Sequence, residues 1–171
     1  MADLLRDIQQ ADLAVIRNWR NHPDINRFMF TQHEVTASEH VSWFESSISN
    51  KLRSLFVYEI DGSIQGFLQL EKKSKESGVY EWGFYINPDA KRGLGTKMAR
   101  LAFDKLFIEM GAVKLFAEVL SFNEPSIRFH NKLGFKQEGI LRQQHFLKDQ
   151  YHDVHCFGLF KSDWLNKAIE Q

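Results

Sequence analysis

A mixed α+β domain on one central sheet is predicted by three features of the sequence. Apolar residues alternate with polar ones from Ser54 to Ile86, they recur at helical spacing after Gly93, and β-like aromatic sequence returns after Gly134. With 171 residues the chain suits a single domain with a proper core.

Taken in order, Leu4 to Gln9 reads as a first strand. Asp12 to Arg20 reads as a helix with Leu13, Ile16 and Arg20 on one stripe, ended by Asn21-His22-Pro23. A second helix spans Ser38 to about Ser49, with Val41, Trp43, Phe44 and Ile48 on its apolar side. The period then becomes two. Ser54–Ile60 and Ser63–Glu71 flank Asp61-Gly62, a hairpin signal because a type I′ turn needs positive φ at both central residues. Ser77-Gly78 turns the chain into a third strand, Val79–Ile86, which Asn87-Pro88-Asp89 ends. After Gly93 the residues Leu94, Met98, Leu101, Ala102 and Leu106 form a helical stripe, with Lys97, Arg100 and Asp104 opposite. Gly111 stops this helix. A strand follows from Val113 to Val119, then a short helix from Asn123 to Leu133 closed by Gly134. Two last strands, Phe135–Leu147 and Tyr151–Phe160, flank a polar turn at Lys148-Asp149-Gln150.

Composition narrows the function classes. Basic and acidic residues number 22 each, so no global charge draws the protein to nucleic acid or membrane, and any basic site is local. The single cysteine, Cys156, excludes an internal disulfide and a multi-cysteine zinc site. The first residues lack the apolar core of a signal peptide and no run of eighteen apolar residues occurs, so a cytoplasmic location is the expectation. His152, Asp153 and His155 suggest a metal site only weakly, because strand alternation puts just Asp153 and His155 on one face; no metal is expected. Cys156 reads as a small buried hydrophobe, since nothing local would depress its pKa.

The stretch Asn87–Phe103 reads either as an anion-binding loop or as a turn that only starts a helix. A strand ending in a loop that opens a helix presents free backbone N–H groups and the positive end of the helix dipole. Gly93 and Gly95 let a ligand approach the backbone, and Lys91, Arg92 and Lys97 add positive charge, as a pyrophosphate requires. The spacing is not that of a Walker A loop. Nor is it a Rossmann fingerprint, because the strands before it form antiparallel hairpins.

Ala90-Lys91-Arg92-Gly93-Leu94-Gly95, after the strand YEWGFYI, resembles the [QR]-x-x-G-x-[GA] loop of the GNAT N-acetyltransferase superfamily, with Ala90 in place of the leading Gln or Arg. Downstream, SFNEPSIRFHNKLGF (Ser121–Phe135) resembles that superfamily's N-x-x-[AS]-x-x-[LF]-Y-x-K-x-G-F segment, with His130 where a tyrosine is common. The resemblance covers nearly the whole chain. It implies one GNAT-type domain whose sheet combines an antiparallel meander with a splayed parallel pair. Residues 54–171 would bind acetyl-CoA and residues 1–53 would select the acceptor. The implied acetyl-CoA contacts are Phe84, Tyr85 and Ile86 on the strand, Lys91 to Thr96 in the loop, and Asn123, Ser126, Phe129, His130 and Lys132 on the later helix.

Acetyl transfer to an amine needs a neutral amine, a polarised thioester carbonyl and a proton for the departing thiolate. The resemblance implies that backbone N–H groups of Gly83–Ile86, splayed from Phe116–Leu120, hold the carbonyl. Glu81 is the first candidate for the base and Glu118 the second, and either could instead be a structural partner in the sheet. His130 or Tyr85 is the candidate acid. A histidine bonded to the CoA chain or to a core carbonyl is the plainer alternative.

The acceptor falls to the N-terminal third. Arg17, Arg20 and Arg27 with Trp19, Trp43 and His40 could bind an anionic, stackable group. Periodicity alone favours core tryptophans and solvated arginines. The pattern DL..IRNWRN…FMFT…H..WF, with YEWGFYI and NKLGFKQEGILR, resembles the flagellar-glycan acetyltransferases of pseudaminic acid biosynthesis, which acetylate the 4-amino group of a UDP-linked amino-dideoxy-altrosamine. That implies a small nucleotide-sugar partner and an acceptor site including Arg17, Trp19, Arg20, Asn21, Met29, Phe30, His40 and Trp43. Peptide N-termini and polyamines are the competing acceptors, and a noncatalytic CoA-binding module is the competing class. The aromatic C-terminal strands are candidates for pairing between subunits in a homodimer.

Overall fold

The computed structural model describes residues 2–169. Its seven strands are β1 (Asp3–Asp7), β2 (Arg53–Ile60), β3 (Ser63–Lys72), β4 (Val79–Ile86), β5 (Lys114–Leu120), β6 (Lys136–Leu147) and β7 (Gln150–Phe160). They form one sheet in the order β1-β2-β3-β4-β5-β7-β6. Every neighbouring pair is antiparallel except β4 and β5. The helices are α1 (Leu13–Asn21), α2 (Pro23–Asn26), α3 (Ala37–Ser49), α4 (Leu94–Asp104), α5 (Glu124–Leu133) and α6 (Lys161–Ile169). The α+β class and the single mixed sheet agree with the sequence, and among the described residues no helix is long and apolar enough to cross a membrane.

Local chemistry accounts for the details. Asp61 and Gly62 both have positive φ (50° and 80°), as the type I′ hairpin demands. The first strand stops at Asp7 rather than Gln9. There Asp12 turns back to accept from the Gln9 amide and the Arg6 guanidinium, and a 3₁₀ turn (Gln10–Asp12) leads into α1. The exit signal at His22-Pro23 is also an entrance: His22 caps the one-turn α2, with Pro23 in its first position. Thr36 and Glu39 form a capping box on α3. The buried stripe of α4 runs through Met98, Ala99, Ala102 and Phe103, while the expected Leu101 is only half-buried, and a π-type turn (Lys105–Glu109) extends the helix. The helix α6 has no counterpart in the predicted elements; it is anchored by Trp164, whose ring stacks on Phe107 at 5.5 Å.

Strand alternation sends two sets of apolar side chains to opposite faces. Tyr80, Trp82, Leu115, Ala117, Val119, Phe157 and Leu159 pack against α4 and its extension. Leu55, Val57, Phe67 and Tyr85 pack against Leu13, Ile16 and Trp19 of α1 and Trp43 and Phe44 of α3. Burial of this apolar surface is the main force holding the two layers to the sheet.

Between the layers, β4 and β5 pair only through Val79–Glu81 and Lys114–Phe116, yet β4 runs on to Ile86 and β5 to Leu120. The strands therefore separate after Glu81. Between them the facing backbone edge of β4 has no partner strand.

Candidate active site

The gap between β4 and β5 opens into the principal cleft, with a volume of about 1140 Å³. Its walls include residues of both strand parities. Trp82, Phe84, Ala117 and Val119 face α4 and α5, whereas Glu81, Gly83, Tyr85 and Glu118 face α1 and α3. The cleft thus passes through the sheet, and a donor bound on one side can meet an acceptor bound on the other.

On the α4/α5 side, Phe84, Ile86, Gly95, Asn123, Ser126, Phe129 and His130 line the cleft. Gly93 precedes α4 with φ of +92°, a conformation that L side chains rarely adopt. Among the described residues no cap or loop acceptor engages the amides from Lys91 to Thr96, and no side chain caps α4. Lys91 and Arg92 are exposed beside them. At Gly95 an added Cβ would meet only the Phe129 ring and Ile86, at 3.6 Å or more, so the protein itself tolerates a side chain there. Free amides, an unblocked backbone and two loop cations are what the pyrophosphate of a CoA molecule needs. Asn123 caps α5, its Oδ1 accepting from the Ser126 amide at 3.3 Å, and its Nδ2 makes no bond among the described residues. Lys132 is exposed and lies outside the cleft lining.

His130 lies deep in the cleft wall. Its side chain is 2% exposed. Its Nε2 accepts from the Trp82 indole at 3.1 Å, and its Nδ1 reaches the Ser126 carbonyl at 2.7 Å. An indole N–H only donates, so Nε2 must carry the lone pair and Nδ1 the proton. Burial pushes the pKa down to about 4, against a smaller opposing effect of the Ser126 carbonyl, so the ring is neutral at physiological pH. The acid role expected of His130 meets this arrangement poorly, because both ring nitrogens are already committed. Tyr85 lines the cleft, and burial raises its phenol pKa further, which keeps it protonated.

The carboxylates divide in the same way. Glu81 is tied to Lys73 at 2.5 Å, and Glu71 to Arg53 at 2.8 Å. Glu118 forms no hydrogen bond or ion pair among the described residues and is exposed to the cleft just beyond the last β4–β5 pairing. Partial desolvation and then the neighbouring charge of Glu81 raise its pKa above the ordinary carboxylate value. Cys156, opposite Glu118 on β7, is buried, and burial with the nearby carboxylates raises its thiol pKa; it is no nucleophile.

Of the expected acceptor residues, Arg20, Met29, Phe30, His40 and Trp43 line the α1/α3 side. Arg17, Trp19 and Asn21 do not. Trp19 is core, Arg17 donates to the Val35 carbonyl at 3.3 Å, and the Asn21 amide both donates to and accepts from Val35 at 2.8 Å. Even Arg20 is engaged, with Asn26 and the Thr31 carbonyl at 2.7 Å each. These groups hold the loop after α2. His40 stacks on Trp43 at 4.9 Å, and burial followed by the Arg17 and Arg20 charges lowers its pKa. The loop is also tied to the C-terminal hairpin, where His145 meets the Phe30 carbonyl at 2.7 Å.

Phe67, Gln69 and Glu71 also line the cleft, paired in register with Tyr85, Gly83 and Glu81. Period-two reading outward from Glu81 would have found them. Asp153 is spent on the Gln143 amide (2.8 Å), and among the described residues no three His, Cys, Asp or Glu side chains could hold a metal ion.

Residues 4–136 match the acetyltransferase (GNAT) domain family. The spermidine N(1)-acetyltransferase of Escherichia coli (strain K12) is 28% identical over 162 residues, covering 94% of this chain and 87% of that one. Acetyltransferase PseH of Campylobacter jejuni (strain 81-176) is 25% identical over 129 residues, covering 75% and 80%. The crystal structure of Vibrio cholerae spermidine N-acetyltransferase with CoA and spermine superposes with a TM-score of 0.86 at 23% identity, over 96% of this chain and 98% of that one, which is a likeness of fold.

Proposed function

This chain belongs to the GNAT acetyltransferase family and is an acetyl-CoA-dependent N-acetyltransferase, and we propose that its acceptor is the 4-amino group of a UDP-linked amino-dideoxy sugar of pseudaminic acid biosynthesis. The observation that carries this reading is the charge pattern of the acceptor side. Glu118 is the one cleft glutamate left without a partner among the described residues; Glu71, Glu81 and Glu39 already have cationic or histidine partners. A site built for a polyamine needs several free carboxylates, whereas a single amine needs one. The surrounding wall of Phe28, Phe30, Trp43 and Phe67 suits a sugar and its attachments. The sequence resemblance described above supports the same acceptor.

In this reading Glu118 takes a proton from the acceptor ammonium, directly or through one water, leaving a neutral nucleophile. Its raised pKa brings it nearer to that task than an ordinary carboxylate. Acetyl-CoA supplies the acyl group and a thiolate leaving group. The unpaired edge of β4 from Gly83 to Ile86 offers amides to the carbonyl oxygen. His130 holds Trp82, and through it the start of the splay, and Tyr85 is the phenol from which the thiolate can be protonated. Transfer is direct, within a ternary complex. A homodimer formed along the edge strand β6, which exposes Ile140, Leu141 and Phe146, belongs to the same proposal.

The test is acetyl-CoA consumption with the UDP-linked 4-amino sugar, spermidine and an N-terminal peptide offered separately. Turnover of the sugar nucleotide alone bears out the reading. A polyamine acceptor is the second reading, favoured by the 28% identity to the spermidine enzyme, and preferential turnover of spermidine would put it first.

A further inference from the structure

A second cavity, of about 290 Å³, lies against the acceptor end of the cleft. Its lining includes Arg27, Lys148 and His152, the side-chain amides of Gln32 and Gln150, and the ring of Phe122. Among the described residues no carboxylate lines it. Five, Asp24, Glu39, Glu71, Glu81 and Glu118, line the main cleft. In a chain of zero net formal charge this is a marked local separation. Aromatic rings connect the two spaces. Phe28 lines the main cleft and stacks with Phe122 at 6.5 Å, and Phe122 meets His152 edge-on at 4.9 Å. The Arg27 guanidinium lies 4.8 Å from the Phe28 ring centre, and its one ion pair is an exposed contact with Asp24 at 3.5 Å. Lys148 belongs to the β6–β7 turn, where it and Asp149 have positive φ (51° and 59°), and it forms no ion pair among the described residues.

We propose that this annex binds the nucleoside diphosphate end of the acceptor, with Arg27 and Lys148 on the phosphates and the Phe122–His152 pair against the base. The inference rests on the reading of the acceptor as a nucleotide-linked amine and supplies the anion site which that reading lacked once Arg17 and Arg20 were found engaged elsewhere. A substrate laid across both spaces would have its amine at Glu118 and its negative charge at the annex. A polyamine carries positive charge along its whole length and would meet two cations there.

The experiment compares the wild-type protein with the double variant Arg27→Ala/Lys148→Ala, using UDP as the probe. Both side chains are exposed, so the unliganded melting temperature should hold. UDP is expected to raise the melting temperature of the wild type, less so at high salt, and to leave the variant unmoved. The KM for the UDP-linked amino sugar should rise by about 10–100-fold in the variant, as loss of two charge-assisted contacts implies, with the KM for acetyl-CoA unchanged. Equal stabilisation of both proteins by UDP, or an unchanged acceptor KM, overturns the annex. Binding of UDP that depends on Arg27 and Lys148, together with no acetylation of the sugar nucleotide, sustains the annex and overturns the acceptor assignment instead.

Discussion

Glu118→Gln is the sharpest perturbation of the proposed chemistry, because the amide keeps the shape and removes the base. Loss of a general base lowers kcat by about 10²–10⁴-fold, or roughly 3–5 kcal/mol of barrier. Folding should not suffer. The native pKa of Glu118 is raised, so the folded state binds its proton more tightly than the unfolded chain does. The stability it contributes therefore falls as pH rises from the unfolded value through the folded one. At neutral pH the carboxylate opposes folding slightly, and the glutamine variant should melt at or just above the wild-type temperature. Glu81→Gln is the companion change. Glu81 pairs in register with Phe116, which puts it diagonally across the start of the splay from Glu118, so that the diagonal spacing of a paired sheet, about 7 Å, is a lower bound on their separation. Two unit charges at that separation, with an effective dielectric of about 40–80, interact by roughly 0.6–1.2 kcal/mol. Removing one should move the acid limb of the kcat profile down by at most about half to one pH unit. Lys73, released from Glu81, pushes in the same direction. The assay is thiol release against pH for the three proteins, with acetyl-CoA binding measured separately. Near-wild-type kcat in Glu118→Gln, with the large loss in Glu81→Gln, would refute the assignment and return the base to Glu81.

His130 is held neutral, with its pKa lowered to about 4, so the folded protein should lose stability as pH falls from about 6.5 toward 4. Melting temperatures across that range should drop less in His130→Gln than in the wild type, with the group worth on the order of 3 kcal/mol at the acid end. Gly93→Ala forces a side chain onto a φ of +92°, costing about 1–2 kcal/mol or reshaping the loop; the acetyl-CoA KM should rise while the acceptor KM holds. Asn21→Ala frees Val35 and the loop before α3. It should raise the acceptor KM several-fold and leave acetyl-CoA binding intact, as isothermal titration of the donor would check.

Much of the donor side was legible in the sequence because its determinants are local. A positive-φ glycine before a helix, an asparagine cap and a period-two strand ending in Asn87-Pro88 each constrain their own few residues, whatever the rest of the chain does. Hence Val79–Ile86, the loop at Gly93 and the start of α5 stand where they were expected. The acceptor side was not legible in that way. Arg17, Arg20 and Asn21 look like ligand groups in the sequence, and only folding brings Val35 and Thr31 to them. Nor could the sequence say which of Glu81 and Glu118 is engaged: Lys73, in the β3–β4 connection, pairs with the first, and the second has no partner among the described residues. The partner of His130 was equally out of reach, since Trp82, whose indole donates to its Nε2, lies 48 residues away. Sequence by itself determined the fold class, because periodicity and backbone conformation are encoded nearest-neighbour by nearest-neighbour, while the family and the donor came from the likeness of its loop and α5 motifs to those of GNAT enzymes. Tertiary structure decided which charges are spent and which remain, because an ion pair or a buried hydrogen bond is defined by separation in space.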